Sequence, residues 1–234
     1  MRYQNDAWLS ERLHKNVFSL QVSPEDSQSK LPSQEIVSPA FIYSKVPMQS
    51  TEIFSLLINN NFKIIDINVQ LSAPLIALGK SPSSMLTVRH ANIHDEERLI
   101  SIAYDGFSLD RFHADPEIND EDASQIKADW VQNYLLGKRG DFTLVVQNAQ
   151  QEILGFLLLI INTEGDCIID LIAMDMKYRG QGAGSVIIRA IHNYVPSAKR
   201  VLVGTQLSNY GSINFYSKLG FKIESSTFML HKHL

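Results

Sequence analysis

Along the chain the spacing of apolar positions switches between two and three-to-four, and each switch marks an element. Ile65, Ile67, Val69 and Leu71 alternate with Asp66, Asn68 and Gln70, the pattern of a half-buried strand. Just before it, Ser50 is placed to cap a helix carrying Ile53, Phe54, Leu57 and Ile58, and Asn59 to Asn61 supply a left-handed stop. Ala40 to Ser44 reads as a short strand, so residues 34–72 form a β-α-β unit. Residues 1–33 are polar and mixed, with a short strand at Val17 to Val22 and an exposed loop from Ser23 to Lys30.

Leu75 to Ser84, with Gly79 and Pro82, is the best linker candidate, which divides the chain into an N-terminal β-α-β domain at 1–82 and a second domain at 83–234. Beyond it Leu86 to Arg89 starts a strand, and a helix opens at His94 with Leu99, Ile102, Ala103 and Phe107 on one face. Residues 108–122 are irregular. Ala123, Ile126, Lys127, Trp130 and Tyr134 then share a helical face that Gly137 ends. Phe142–Gln147, Ile153–Ile161 and Cys167–Met174 are strands joined by short turns, an antiparallel meander. A helix follows with Val186, Ile187, Ala190, Ile191 and Tyr194, stopped by Pro196. The chain closes with a strand at Arg200–Gln206, a helix from Asn209 to Gly220, and one or two short strands from Phe221 to Leu230. Strands and helices alternating this way predict an α/β protein of the α+β type.

Composition narrows the class without changing this picture. The chain of 234 residues is 44% hydrophobic and 20% charged, with a formal net charge of -4 and no basic run. That argues against nucleic acid as a partner. Cys167 is the single cysteine, so an internal disulfide and a Cys-rich metal site are excluded, and its apolar setting marks it as core. The first residues have no apolar stretch of signal-peptide type. The longest apolar run, Ile153 to Ile161, is about half the ~20 residues a membrane helix needs. A cytoplasmic protein without membrane insertion is expected.

Between the third meander strand and the next helix stand Gly180, Gly182 and Gly184, with Arg179 at the start of the loop. Glycine permits positive φ and close approach of a ligand, and the helix that follows offers free N–H groups to phosphate. The downstream helix places Asn209 and Tyr216 seven residues apart, on one face.

With these pieces in place, residues 86–230 resemble the GNAT superfamily of acyl-CoA-dependent N-acyltransferases. The family loop, Arg/Gln-x-x-Gly-x-Gly/Ala, is matched by Arg179-Gly-Gln-Gly182-Ala-Gly184. The family's second mark is an Asn, a small residue three later, a Tyr seven after the Asn, then Gly-Phe. Here these are Asn209, Ser212, Tyr216 and Gly220-Phe221, with Ser in place of the commoner Ala. The resemblance implies a GNAT fold with a central mixed, mostly antiparallel sheet flanked by helices, and acetyl-CoA as donor without a metal. The coenzyme pyrophosphate would lie on Arg179, Gly180, Gln181, Gly182, Ala183, Gly184 and Ser185, with Asn209 also in contact. The pantetheine arm would run along Ile172, Ala173 and Met174 in a splay beside the strand at 200–206. An N–H near Ile172 or Ala173 would hold the oxyanion, and Tyr216 would protonate the leaving thiolate.

The chain departs from the pattern where some relatives place a Glu five residues before the Asn, because that position is Gly204. The base is then a water chain or a residue of the long loop, with His113, Asp115 and Glu117 as candidates. The order of parts is also similar to bacterial nucleotide-sugar N-acetyltransferases of the dTDP-fucosamine type. That likeness implies a small-molecule amine acceptor, with Arg111 on phosphate and Phe112 or His113 stacked on a ring. A protein or peptide N-terminal acetyltransferase and a non-catalytic acyl-CoA-binding module stay open, as does a homodimer. Finally, Asn60-Asn-Phe-Lys-Ile64 echoes Leu219-Gly-Phe-Lys-Ile223. Either helix-stop-strand junctions converge, or residues 34–72 are a degenerate half copy of the second domain.

Overall fold

The alternating stretch at residues 65–71 lies inside a long strand, β4 (Lys63–Pro74), and its helical neighbour is α2 (Thr51–Asn59), preceded by β3 (Ala40–Pro47). These come from a computed structural model that describes residues 1–23, 25–26, 30–33, 35–79 and 85–234. Before them stand β1 (Arg2–Asn5), α1 (Ala7–Leu13) and β2 (Asn16–Gln21); the sequence pattern shows only the last. The missed helix is capped by Asp6, whose side chain accepts from the Leu9 N–H, and buries Leu9. The exposed loop expected at Ser23 to Lys30 and the linker expected at Leu75 to Ser84 fall partly outside the described residues. Within the linker, Leu75–Leu78 is a 3-10 turn that buries Leu75 and Leu78.

The second half follows its pattern closely. It contains β5 (Thr87–His90), α3 (Glu96–Gly106), α4 (Asp120–Leu135), β6 (Phe142–Gln147), β7 (Ile153–Ile161) and β8 (Cys167–Met174). After these come α5 (Ala183–Tyr194), β9 (Arg200–Gln206), α6 (Tyr210–Lys218) and β10 (Lys222–His233). The last is one twelve-residue strand where one or two short ones were expected.

All ten strands form one mixed sheet in the order β1-β2-β3-β10-β4-β9-β8-β7-β6-β5. Among the described residues, only β2–β3 and β8–β9 pair in parallel. Helices cover the sheet as expected. Ile187 and Ile191 of α5 and Tyr216 of α6 pack on Leu157, Leu159, Val201 and Val203. On the opposite face, Leu99 and Ile102 of α3 and Val131 and Tyr134 of α4 pack on Val145, Phe156 and Leu171. No helix among the described residues is long and apolar enough to cross a membrane.

Strand β10 inserts between β3 and β4, so residues 1–82 and 83–234 share the sheet. The insertion is pseudo-symmetric. Thr227 opposes Pro47 as Asn68 opposes Gln206, and His233 opposes Phe41 as Pro74 opposes Arg200, with the same offset each time. The helix ends repeat it too: Asn61 and Gly220 both take positive φ, and Phe62 and Phe221 donate back to Leu57 and Tyr216. The counterpart of Tyr216 is therefore Leu57, fully buried and without a hydroxyl.

Candidate active site

The neighbouring parallel strands β8 and β9 stay together for three residues, Cys167 to Ile169 against Val201 to Val203, and then part. Where they part, β8 bulges. Leu159 pairs with Ile169 and Leu158 with Leu171, so Asp170 is skipped. Asp175 N–H donates to Leu154 on β7 (2.9 Å). Antiparallel alternation from that bond sends the Ala173 N–H to β7 as well, and the N–H groups of Ile172 and Met174 into the gap. Two donors thus lie between the diverging strands.

The glycine loop closes one end of the cleft. Gly180 (φ 76°) and Gly182 (φ 87°) are left-handed, and a Cβ at either would meet nothing within 4 Å. Glycine is there for the backbone turn, not for packing. Gly182 begins α5 without a side-chain cap, so the N–H groups of Ala183 and Gly184 have no intrahelical acceptor and stand at the positive end of the helix. The Ser185 N–H is already given to Gly182 (3.0 Å). Arg179 is also engaged: Nε donates to the Met174 carbonyl (3.1 Å) and Nη2 to that of Gly106 (2.7 Å). Its fork braces the loop against β8 and α3. The Gln181 amide similarly donates to the Lys177 carbonyl (3.0 Å).

On α6, Asn209 caps the helix by accepting from the Ser212 N–H (3.1 Å). Tyr216 is 4% exposed, its ring against Phe215 and Phe221. Burial alone pushes its phenol well above the usual range. No hydrogen bond or charge contributes, and the hydroxyl is not among the sealed orphan atoms. Tyr216 is thus a protonated phenol at neutral pH, free to serve an incoming ligand.

The opposite mouth of the cleft is polar. Asp170 accepts from Trp130 Nε1 (2.8 Å), Tyr134 Oη (2.7 Å), Arg139 Nε (2.7 Å) and Arg139 Nη2 (2.9 Å). Burial would raise its carboxyl, but the Arg139 fork, Tyr134 and Trp130 outweigh it and hold Asp170 ionised. The spacing of Trp130 and Tyr134 reads as plain core; the structure gives both a polar task. Gly140 makes the arrangement possible, because at φ 66° a Cβ there would sit 2.0 Å from the Tyr134 ring. Asp170→Ala is expected to cost about 2–3 kcal/mol in urea unfolding. The loss comes from the Trp130 and Tyr134 donors, since Arg139 is 42% exposed and water screens its share.

At Gly204, where some relatives carry a Glu, the Asn68 amide from β4 covers the bare backbone, 3.4 Å from where a Cβ would be. The candidate bases of the long loop are all engaged. His113 Nδ1 is bound to Asp110 (2.6 Å), and Glu117 pairs with Lys63 (2.9 Å). Asp115 is buried and accepts from His231 Nδ1 (2.6 Å) and His233 Nε2 (2.8 Å) through one oxygen. These three could face one metal ion, but their spacings are those of hydrogen bonds. Asp110, also buried, is held at about 2: burial raises it, and Lys127 and His113 overcome that.

Of the three acceptor residues expected in this loop, Phe112 is 1% exposed among Leu9, Phe41 and Ile126, with Arg111 over one side of its ring and Lys127 near it. It has no free face to stack on a ligand. His113 is tied to Asp110 and lies 3.4 Å from Ser124 Oγ. The Arg111 guanidinium lies 4.2 Å over the Tyr43 ring and 4.4 Å over that of Phe112, with Nη1 sealed and without a hydrogen-bond partner. Asp170 is a residue that the pattern passes over; its signal was a lone carboxylate in the apolar strand Cys167-Ile-Ile-Asp-Leu.

The sequence profile of the Acetyltransferase (GNAT) family matches residues 102–221. A relative, the spore coat polysaccharide biosynthesis protein SpsD of Bacillus subtilis, is 22% identical over 98% of this chain and 82% of its own. The dTDP-fucosamine acetyltransferase of Escherichia coli O6:H1 is 23% identical over 88% of each. The solved GCN5-related N-acetyltransferase of Sphaerobacter thermophilus superposes with a TM-score of 0.57 at 15% identity. That match covers 83% of this chain and 60% of that one.

Proposed function

The chain belongs to the acetyltransferase (GNAT) family, and on that premise we propose that it acetylates the primary amine of a nucleotide-linked amino sugar by direct attack on acetyl-CoA. The observation that carries the donor half is the parting of β8 and β9 after Ile169 and Val203, beside a glycine loop and an unpartnered Tyr216 hydroxyl. The acceptor half is supported by two relatives named for polysaccharide biosynthesis and dTDP-fucosamine acetylation.

In this reading the coenzyme pyrophosphate lies on Gly180 to Gly184, and the Asn209 amide nitrogen, unused by capping, meets the coenzyme. The amine attacks the thioester carbonyl, and the Ile172 and Met174 N–H groups hold the negative oxygen. The C–S bond then breaks and Tyr216 gives its proton to the departing sulfur. Asp170 is locked in an ion pair and Gly204 carries no carboxylate, so the proton of the substrate ammonium leaves to water. We also retain the division into 1–82 and 83–234, with the first a degenerate half copy, which the matched registers around β10 support.

The test is release of free thiol from acetyl-CoA, measured across dTDP-linked 4-amino sugars, free amino sugars, polyamines and peptides. Turnover confined to the nucleotide-linked amines is expected. Turnover of peptides alone would replace this reading with an N-terminal acetyltransferase, and acetyl-CoA binding with no turnover at all would leave a binding module.

A further inference from the structure

Alternation along β4 and β9 sorts their side chains onto two faces of the sheet. Val69 and Leu71 of β4 and Val203 of β9 turn into the core beneath α5 and α6. Asn68, Gln70, Gly204 and Gln206 therefore face the other side, the side of α3, α4 and Asp170. Register gathers them into a patch. Asn68 stands opposite Gln206 and Gln70 opposite Gly204, and Thr227 and Ser225 of β10 continue the two rows. Two rows on three strands make a floor of roughly 10 by 7 Å, the footprint of one sugar ring.

This floor is open, and its hydrogen-bonding capacity is largely unused. Gly204 and Ser225 are exposed, and Asn68, Gln70 and Gln206 are half-buried. Among the described residues the Gln70 and Gln206 amides hydrogen-bond to no protein group. Asn68 uses one donor, Nδ2 to the Thr205 carbonyl (3.3 Å), and its Oδ1 accepts nothing. None of these free atoms is sealed from solvent. The acidic side chains of the three strands are engaged elsewhere, Asp66 by Ser208 Oγ (2.8 Å) and Glu224 by Arg200 (2.7 Å). A polyamine or another cationic chain finds no free carboxylate here. Hydroxyl groups, which both give and accept, match neutral amides that do the same.

The floor also begins at the right place. Gly204 is the first residue of β9 beyond its pairing with β8, next to Asp170, which the bulge of β8 skips. Bare backbone there lets a ring settle between the amides, and the three atoms nearest to an added Cβ would all belong to Asn68, at 3.4 to 3.9 Å. We propose that Asn68, Gln70 and Gln206 seat the hydroxyl groups of the acceptor sugar, with its ring over Gly204 and its amine toward the gap between β8 and β9. Strand β4 of the N-terminal unit then supplies half of the sugar seat, and Gly204 is a specificity residue. This rests on the amino-sugar reading above and adds the residues that would select a hydroxylated amine.

The test measures thiol release by the whole chain at saturating acetyl-CoA, with a dTDP-linked 4-amino sugar and with free galactosamine as acceptors. The variants are Asn68→Leu combined with Gln70→Leu, which keeps side-chain bulk and removes the amides, and Gly204→Ala, which adds one methyl to the floor. Thermal melting checks that each is folded, and Gly204→Ala carries the same test should the double variant be unstable. The acceptor KM of both variants is expected to rise about tenfold or more for either sugar, with kcat nearly unchanged and the KM for acetyl-CoA unaltered. An unchanged acceptor KM for a sugar that the wild type turns over overturns the seat and leaves the proposed function standing. Turnover of galactosamine with an amide-dependent KM, but of no nucleotide-linked amine, keeps the seat and overturns the nucleotide-linked reading. Turnover of peptides or polyamines alone, or of no amino sugar at all, overturns both.

Discussion

Tyr216→Phe is expected to lower the single-turnover rate of acetyl transfer by about 100-fold or more, with acetyl-CoA affinity within about twofold of wild type. The size follows from what the substitution removes. The Phe ring keeps the contacts with Phe215 and Phe221 and the place in the core. The hydroxyl has no protein partner to abandon, so folding stability should not fall. On the proposed mechanism only the proton offered to the departing sulfur is lost. Because burial keeps the phenol protonated well past neutrality, the wild-type rate should show no fall from Tyr216 ionising below about pH 10. An unaltered single-turnover rate in the Phe variant would mean that the thiolate leaves without this acid. Single-turnover conditions matter, since slow product release would mask a chemical defect.

Acidification between about pH 6.5 and 4 is expected to remove about 3 kcal/mol of stability through the knot of Asp115, His231 and His233. His231 is buried, and its pKa is pushed down to about 4 first by that burial, with Arg111 and His233 adding and Asp115 opposing. The unfolded chain therefore takes up a proton near pH 6.5 that the folded chain refuses until about 4. Stability is full above the unfolded value and falls as pH drops through this window, at ~1.4 kcal/mol per unit. Asp115, held well below the ordinary carboxylate range against its own burial by the two imidazoles, extends the loss to lower pH in the same direction. Urea unfolding followed by Trp fluorescence at pH 7.0, 5.5 and 4.5 reads the slope. His231→Phe should flatten it. Asp115→Ala should cost about 3 kcal/mol at pH 7, since both buried imidazole N–H groups are then left without an acceptor. A wild-type stability that is level from pH 7 to 4.5 would contradict this account. The knot ties the loop before α4 to the final strand.

Much of the fold was legible locally. The meander, the helix with Ile187 and Ile191, and the stops at Asn61 and Gly220 each follow from a few neighbouring residues, because periodicity and left-handed turns are properties of short windows. The loop at Arg179 to Gly184 and the pair Asn209 and Tyr216 were legible for the same reason, being fixed spacings on single elements. The first helix, Ala7–Leu13, was not, because its burial of Leu9 depends on Phe112 and Ile126 more than a hundred residues away.

What the sequence by itself determined is therefore the set of elements and the residues proposed for the donor, each set on a single loop, strand or helix. Tertiary structure alone decided how the long loop and the sheet meet. Strand β10 slips between β3 and β4 and brings His231 to Asp115. The bulge turns Asp170 toward Trp130 and Tyr134, and Arg111 comes to lie 4.2 Å over the ring of Tyr43, 68 positions earlier in the chain. The physical reason is range. Hydrogen-bond spacing along one element is written in adjacent residues, whereas strand order and the meeting of charges across a groove are settled only when distant surfaces bury one another.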